Sequence, residues 1–337
     1  MKFKASNSVF IVLFVLIVLS GGIYFTFRWI GYQLGPSYTG EVEFIIESQS
    51  TLSHISNIIQ EKGYVRNARL FSLYLRYKEA DRQIKAGEYH IESYTSLDNL
   101  IQILMQGQER SFDFTIPEGY NMLQIARKLS QEGLVDESEF IALAKHPPSE
   151  ICQDLLSDFP AETSLEGFLF PETYRITQPD ARKVIDMMTR QFRKVFTFDL
   201  EERAMELGFT PFEIIVLASI IEKEAQYADE FPLVSSVFHN RLKDGWKLEA
   251  CSTVEYVIEK ESYVLSLEEL KIDSPYNTYL YSGLPKGPIA NPGQRAIIAA
   301  LYPESSPYYF FVARGDGTHA FSKTLSEHLR NVQRYLP

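Results

Sequence analysis

Two glutamates set into an apolar run, Glu222 and Glu224, are the residues of this chain best suited to moving a proton. Ile214, Leu217, Ala218, Ile221 and Ala225 recur every three or four positions, the spacing of one apolar stripe on a helix. A carboxyl beside such a stripe loses part of its hydration, and that loss raises its pKa toward the range useful for proton donation. Two positions correspond to about 200° of helix rotation, so the two carboxyls cannot enter one cleft. Periodicity does not choose between them, and surface glutamates on an amphipathic helix give the same pattern.

Other chemistries find less support. His319 and His328 lack a third residue at metal-ligand spacing and read as hydrogen-bonding or structural groups. Ser219 and Ser322 stand in no Gly-x-Ser-x-Gly elbow, which argues against a serine hydrolase. The two cysteines, Cys152 and Cys251, are too few for a disulfide framework or a metal set. They could pair in an oxidising compartment if geometry allowed it. No metal and no cofactor is expected.

The elements that must position these groups begin with the amino terminus. Lys2 and Lys4 precede a nearly unbroken apolar run from Val9 to Phe27, closed by Arg28. Its length is near the ~20 residues that span a bilayer core. A cytoplasmic tail over 1–8, a transmembrane helix over 9–27 and a linker over 28–40 are predicted, with the remainder exported. Ser20 and Gly22 are small enough for a signal-peptidase site, but Trp29 and Tyr32 suit a membrane interface and favour an uncleaved anchor. A chain of 337 residues has length for two or more domains, and 45% hydrophobic with 23% charged residues is ordinary for globular proteins. A net charge of −11 argues against nucleic acid as a partner.

An internal repeat follows at an offset of about 70 residues. EVEFIIESQSTLSHISNIIQEKGYV, over 41–65, aligns with SFDFTIPEGYNMLQIARKLSQEGLV, over 111–135. Phe44 matches Phe114, Ile46 matches Ile116, Ile55 matches Ile125 and Gly63 matches Gly133. Each copy reads as a short strand, a turn and an amphipathic helix ended by glycine. Helix over Phe71 to Tyr77, strand near Ala86 to Ile91 and helix over Leu97 to Gln106 complete a βααβα order for 41–110. That order resembles a LysM-like module, with a generic α+β spacer as the alternative. From Ser164 the texture turns aromatic, then mostly helical from Asp180 to Leu242, with Pro211 opening the glutamate helix. A loop-rich section from Glu249 to Gly293 precedes a helix at Gln294 to Leu301, two short strands about the 315–317 turn and a closing helix from Leu325. The predicted class is α+β: an N-terminal transmembrane helix, a small LysM-like module, and a larger, mainly helical catalytic domain with a short sheet over 111–337.

ASIIEKEA (218–225), SSVFHNRL (235–242), SPYNTYLYSGLPKGPIANPG (274–293) and YYFFVARGDGTHAFSKTLSEH (308–328) together carry a resemblance. In this order they resemble the endolytic murein transglycosylases of the MltG (YceG-like) type. The upstream EGFLFPETY run, the LysM-like region and the anchor agree with it. The resemblance implies that Glu224, the second glutamate of Glu-Lys-Glu, is the catalytic acid/base. It implies cleavage between N-acetylmuramic acid and N-acetylglucosamine without water, leaving a 1,6-anhydro ring. One carboxyl suffices when the sugar's own 6-hydroxyl replaces water, whereas hydrolysis requires a pair.

Among the remaining residues, Glu166 is the best second carboxylate, to contact sugar or orient a hydroxyl, unless it caps a turn. Phe168, Tyr174, Tyr276 and Tyr279 are candidate saccharide platforms and Asn277 a candidate amide contact, with core packing as the competing role. Asn240 and Arg241 could orient the catalytic group or bind an acetamido or lactyl group, with a satisfied buried Asn as the alternative. The chain departs from the family at Cys251-Ser252, where Asp-Pro is usual before Thr-Val, and at Lys286 of the Leu-Pro-Pro-Gly turn. The first departure removes a carboxylate from the expected cleft. By resemblance, the partners are peptidoglycan glycan strands, the inner membrane through a single helix, and peptidoglycan synthases. A water-using muramidase and a non-enzymatic glycan-binding scaffold are the competing functions.

Overall fold

A computed structural model describes residues 4–36, 40–47, 49–92, 95–107, 111–153, 155, 159–160, 163–177, 179–260 and 265–335. The chain separates into two compact units, Met1–Ser111 and Phe112–Pro337. The described residues form a helix-rich α+β architecture with three two-stranded sheets.

The first unit opens with α1 (Lys4–Leu34), whose stretch Phe14–Leu34 is long and apolar enough to cross a membrane. The helix passes Arg28 and runs through Trp29 and Ile30, so the expected linker begins later than its composition suggested. Leu34 and Ile30 remain apolar and pack into the unit's core, which keeps the helix going. Next come β1 (Val42–Ile46), α2 (Leu52–Glu61), α3 (Ala68–Tyr77), β2 (Gly87–Ile91) and α4 (Leu97–Gln106). Thr51, Asn67 and Ser96 each cap a helix through the side chain, satisfying N–H groups that the first turn leaves open. Strands β1 and β2 pair antiparallel with Phe44 opposite Tyr89.

The second unit repeats this plan further than the aligned segments indicated. β3 (Ser111–Thr115), α5 (Met122–Gln131), α6 (Glu137–Lys145) and the short α7 (Ser149–Gln153) lead to β4 (Thr173–Thr177), which pairs with β3. Phe114 stacks on Tyr174 at 5.3 Å between ring centroids, as Phe44 stacks on Tyr89 at 5.4 Å. Each tyrosine hydroxyl donates to the carbonyl four residues earlier, Tyr174 to Phe170 and Tyr89 to Lys85, both at 2.6 Å. The amphipathic α8 (Ala181–Val195) then covers the sheet's core with Val184, Ile185, Met188 and Phe192.

The remainder of the second unit is built around α10. It follows α9 (Phe198–Glu206) and runs from Pro211 to Glu224. Thr210 and Glu213 form a reciprocal capping box, and Pro211 occupies the first turn, where its missing N–H costs nothing. Every residue from Phe212 to Ile221 except Glu213 is buried. The expected stripe is thus a helix enclosed on all sides, including Ser219, whose hydroxyl donates to Val216 O and accepts from Ile289 N. Helices α11 (Phe231–Lys243), α12 (Cys251–Ile258) and α13 (Gln294–Leu301) pack around it. The hairpin β5 (Phe310–Ala313) and β6 (His319–Ser322) and the closing α14 (Leu325–Tyr335) complete the unit. Helix α12 lies inside the section read from sequence as loops. Its eight residues follow an alanine, Ala250, with no capping side chain, so neither a cap nor a long periodic run announces it.

Candidate active site

Burying α10 to Ile221 forces its last turn to emerge at the edge of the core, and the two glutamates leave it in different directions. Glu222 Oε2 accepts the N–H of Gly293 at 2.9 Å, just before α13. Burial pushes the Glu222 carboxyl up to about 7, the nearby Glu118 charge adding to the rise and Arg295 opposing it. Gly293 has no room for a side chain, because a β-carbon there would collide with Glu118.

Glu224 turns instead toward the start of α12. Its Oε1 accepts the Ser252 hydroxyl at 2.7 Å, and the Ser252 N–H lies 3.5 Å from the same oxygen. Burial raises the Glu224 carboxyl above its ordinary value, and the Ser252 bonds and the His319 and Lys223 charges pull it back. Two groups beside it are electrostatically coupled to its charge: Cys251, and Tyr279, whose hydroxyl lies 3.0 Å from the Cys251 thiol. His319 is fixed on β6 by Glu230, with Nδ1 and Oε2 at 2.8 Å. Ser252 also borders a cleft of about 350 Å3, lined in part by Asn121, Arg127, Lys223, Glu255 and Tyr256. Within that setting, a carboxyl with a raised pKa can give up a proton and take one back.

The site's floor is anchored by Thr278. Its hydroxyl accepts from Ala250 N at 3.0 Å and meets the Thr253 hydroxyl at 2.9 Å, fixing the first turn of α12. Among the described residues, no three His, Cys, Asp or Glu side chains gather as a metal site would require.

The other sequence candidates divide between cleft and scaffold. Tyr279 interacts electrostatically with Glu224, and Tyr276 packs tilted against Tyr256 at 5.1 Å beside the cleft. Glu166 is only 2% exposed. Both of its oxygens accept the N–H of Met122, and Asn291 and Tyr256 donate to it as well, so it braces the start of α5. Burial lifts its carboxyl to about 7 against those donors. Phe168 is wholly enclosed among Phe159, Phe192 and Phe212, and Tyr174 is the strand tyrosine already described. The Asn240 amide donates to Ser306 O and Tyr308 O, and the Arg241 guanidinium to Tyr309 O and Leu248 O. The Asn277 amide donates to Leu270 O and Ile272 O. These six are placed to hold loops and core.

Sequence reasoning passed over Ser252 and Asn291. In the sequence Ser252 stands out only as a departure from an expected Asp-Pro pair, which reads as a loss. Asn291 bridges three segments, accepting from Leu169 N and donating to Tyr120 O and Glu166. Long-range bridging of that kind leaves no local pattern. The Cys251 thiol is free, and the Cys152 side chain lies outside the described residues.

Comparison with known proteins places the chain in a family. Residues 44–334 match the YceG-like family. A protein of Bacillus subtilis named endolytic murein transglycosylase is 33% identical over 309 residues, 88% of this chain and 85% of the relative. One of Streptococcus pneumoniae with the same name is 30% identical, the match covering 95% of this chain and 64% of that protein. The crystal structure of a YceG-like protein from Listeria monocytogenes superposes with a TM-score of 0.59 at 30% identity, covering 86% of this chain and 98% of the other.

Proposed function

The chain belongs to the YceG-like family, and from that membership we propose that it is an endolytic murein transglycosylase whose proton carrier is Glu224. The carrying observation is the Glu224 carboxyl itself, raised by burial and held through one oxygen by Ser252. In its acid form Glu224 gives its proton to the glycosidic oxygen between N-acetylmuramic acid and N-acetylglucosamine. The bond from C1 to that oxygen breaks, and the N-acetylglucosamine side leaves as an alcohol. The 6-hydroxyl of the same muramyl residue then attacks C1, and the Glu224 carboxylate accepts the hydroxyl proton. The product is a 1,6-anhydromuramyl end, and the carboxyl is returned to its starting form.

Hydrolysis would need a second carboxylate near the scissile bond. Glu222 is engaged at Gly293 and Glu166 at Met122, which leaves Glu255, on the lining of the cleft, as the carboxylate a water-using route would call on. Helix α1 would hold the enzyme in the inner membrane, amino terminus inside, close to where glycan strands emerge. In this reading the unit spanning β1 to α4 is the LysM-like spacer, residues 111–337 are the catalytic domain, and the strand-polymerising synthases are partners. Digestion of purified, uncrosslinked glycan strands tests the assignment by mass. Anhydro ends that vanish in Glu224→Gln support it, and ends one water heavier would establish a muramidase instead. No cleavage by the parent protein would leave a glycan-binding scaffold.

A further inference from the structure

Helix α12 begins without a side-chain cap, since Ala250 occupies that position, and its open end faces Glu224. A helix start leaves several N–H groups without intrahelical partners and carries partial positive charge. Here the Ser252 hydroxyl, at 2.7 Å, and the Ser252 N–H, at 3.5 Å, are directed at one oxygen of Glu224, Oε1. Among the described residues, no hydrogen bond reaches Oε2. We infer that Ser252 is a positioning residue that divides the labour of the two Glu224 oxygens, holding Oε1 as acceptor so that Oε2 carries the transferable proton. This rests on Glu224 being the acid of the reaction proposed above.

The division follows from hydrogen-bond chemistry. An oxygen that accepts an O–H is the poorer place for the carboxyl's own proton, so the proton is driven to the other oxygen. Once Glu224 has given that proton away, the same hydroxyl meets a full negative charge and its bond strengthens. Ser252 therefore favours the carboxylate formed during bond cleavage more than the acid that precedes it. That is the differential stabilisation a rate enhancement requires. It works against burial, and the two together set where the carboxyl titrates. The expected Asp-Pro pair at 251–252 would supply neither the hydroxyl nor the N–H of Ser252.

A structural role alone, with Glu224 serving as a remote cap for α12, predicts a different outcome, and Ser252→Ala separates the two. The titratable groups facing Glu224 are Lys223 on its own helix, Cys251 on α12, Tyr279 on the following loop and His319 on β6. The experiment measures kcat and KM against pH for the full-length parent, Ser252→Ala, Ser252→Thr and Glu224→Gln, with thermal unfolding of each. Positioning predicts that Ser252→Ala lowers kcat roughly tenfold with KM held, and moves the alkaline limb upward by about half a pH unit or more. Ser252→Thr, which keeps the hydroxyl, restores both. The same upward displacement in a His319→Gln background assigns it to Glu224 rather than to the imidazole. An alkaline limb that stays in place, with loss of activity tracking loss of stability, overturns the inference while the Glu224 assignment stands. An active Glu224→Gln would overturn the assignment itself.

Discussion

Glu222 and Glu224 leave the last turn of one helix two residues apart, and each carboxylate has its own backbone partner, Gly293 for the first and Ser252 for the second. The rotation between them prevents a shared cleft, as the helix geometry demands. Their consequences on substitution should therefore separate cleanly. Glu224→Gln should lower turnover on glycan strands about 1000-fold with unfolding little changed, whereas Glu222→Gln should keep turnover within about tenfold. Equal losses in the two variants would show that both carboxyls serve the reaction.

The stability of the second unit should fall as pH rises toward neutrality. Glu222 titrates at about 7 in the folded chain against an ordinary 4.5, because burial disfavours its charge. Between those values the folded state holds a proton that the unfolded state has released. The contribution is thus full below about 4.5 and is lost as pH rises through about 7. Glu166 is raised in the same direction to about 7. Glu222→Gln can still accept from Gly293, so it should flatten the dependence and stabilise the protein at pH 8 by on the order of 1–2 kcal/mol. Melting temperature against pH, parent beside variant, measures it. A slope unchanged by the substitution would assign the dependence to other groups.

Tyr174 is a test of how aromatic residues are read. Its ring lies on Phe114 and its hydroxyl on Phe170 O, the geometry Tyr89 repeats with Phe44 and Lys85 O in the other unit. A residue reproduced in two units by the same contacts is part of the repeated frame. Tyr174→Phe and Tyr89→Phe should each cost about 1 kcal/mol of stability. Tyr174→Phe should leave the KM for glycan strands unchanged, and a several-fold rise would return Tyr174 to the saccharide surface.

The sequence displayed the periodic elements well, because a buried face imposes its spacing on the residues that form it. The helix at Gln294–Leu301 and the start of the closing helix at Leu325 match their observed bounds, and the repeated glycines Gly63 and Gly133 adopt the positive φ their helix ends require. What escaped was long-range. Helix α12 was lost because its start is fixed by Thr278, far along the chain, rather than by a cap beside it. Glu166, Asn240, Arg241 and Asn277 are polar residues in apolar surroundings, a pattern shared by ligand-binding groups and by groups that satisfy buried backbone N–H groups or carbonyls. Only three-dimensional partners tell those apart.

Arg241 illustrates the second kind. Its buried guanidinium donates to Tyr309 O and Leu248 O and lies over the Phe310 ring at 5.2 Å, tying α11 to β5 and to the loop before α12. A lysine can reproduce neither the planar fork nor the ring contact. Arg241→Lys should lower stability by roughly 2–3 kcal/mol and leave the pH profile of turnover in place. A displaced profile with normal stability would instead place the guanidinium in the reaction.

The end of α1 bears on where a fragment lacking the apolar helix should begin. Arg66 N donates to Gln33 O at 3.0 Å, its guanidinium donates to Tyr32 O and Gly35 O, and its charge sits 4.3 Å from the Tyr32 ring centroid. Leu34 is buried in the core of the first unit and Ile30 packs against it. The last turns of α1 thus belong to the folded unit as well as to any membrane span. A fragment beginning at Ile30 keeps all of these contacts, while one beginning at Gly40 loses the Leu34 burial and leaves Arg66 without its carbonyls. Burying a leucine side chain is worth about 2 kcal/mol, and the lost charge-assisted bonds add about 1.5 kcal/mol. The shorter fragment should therefore unfold at lower denaturant and be cut sooner by protease near Arg66, with turnover on soluble glycan little altered. Equal midpoints for the two fragments would mean that the helix end is merely resting on the unit.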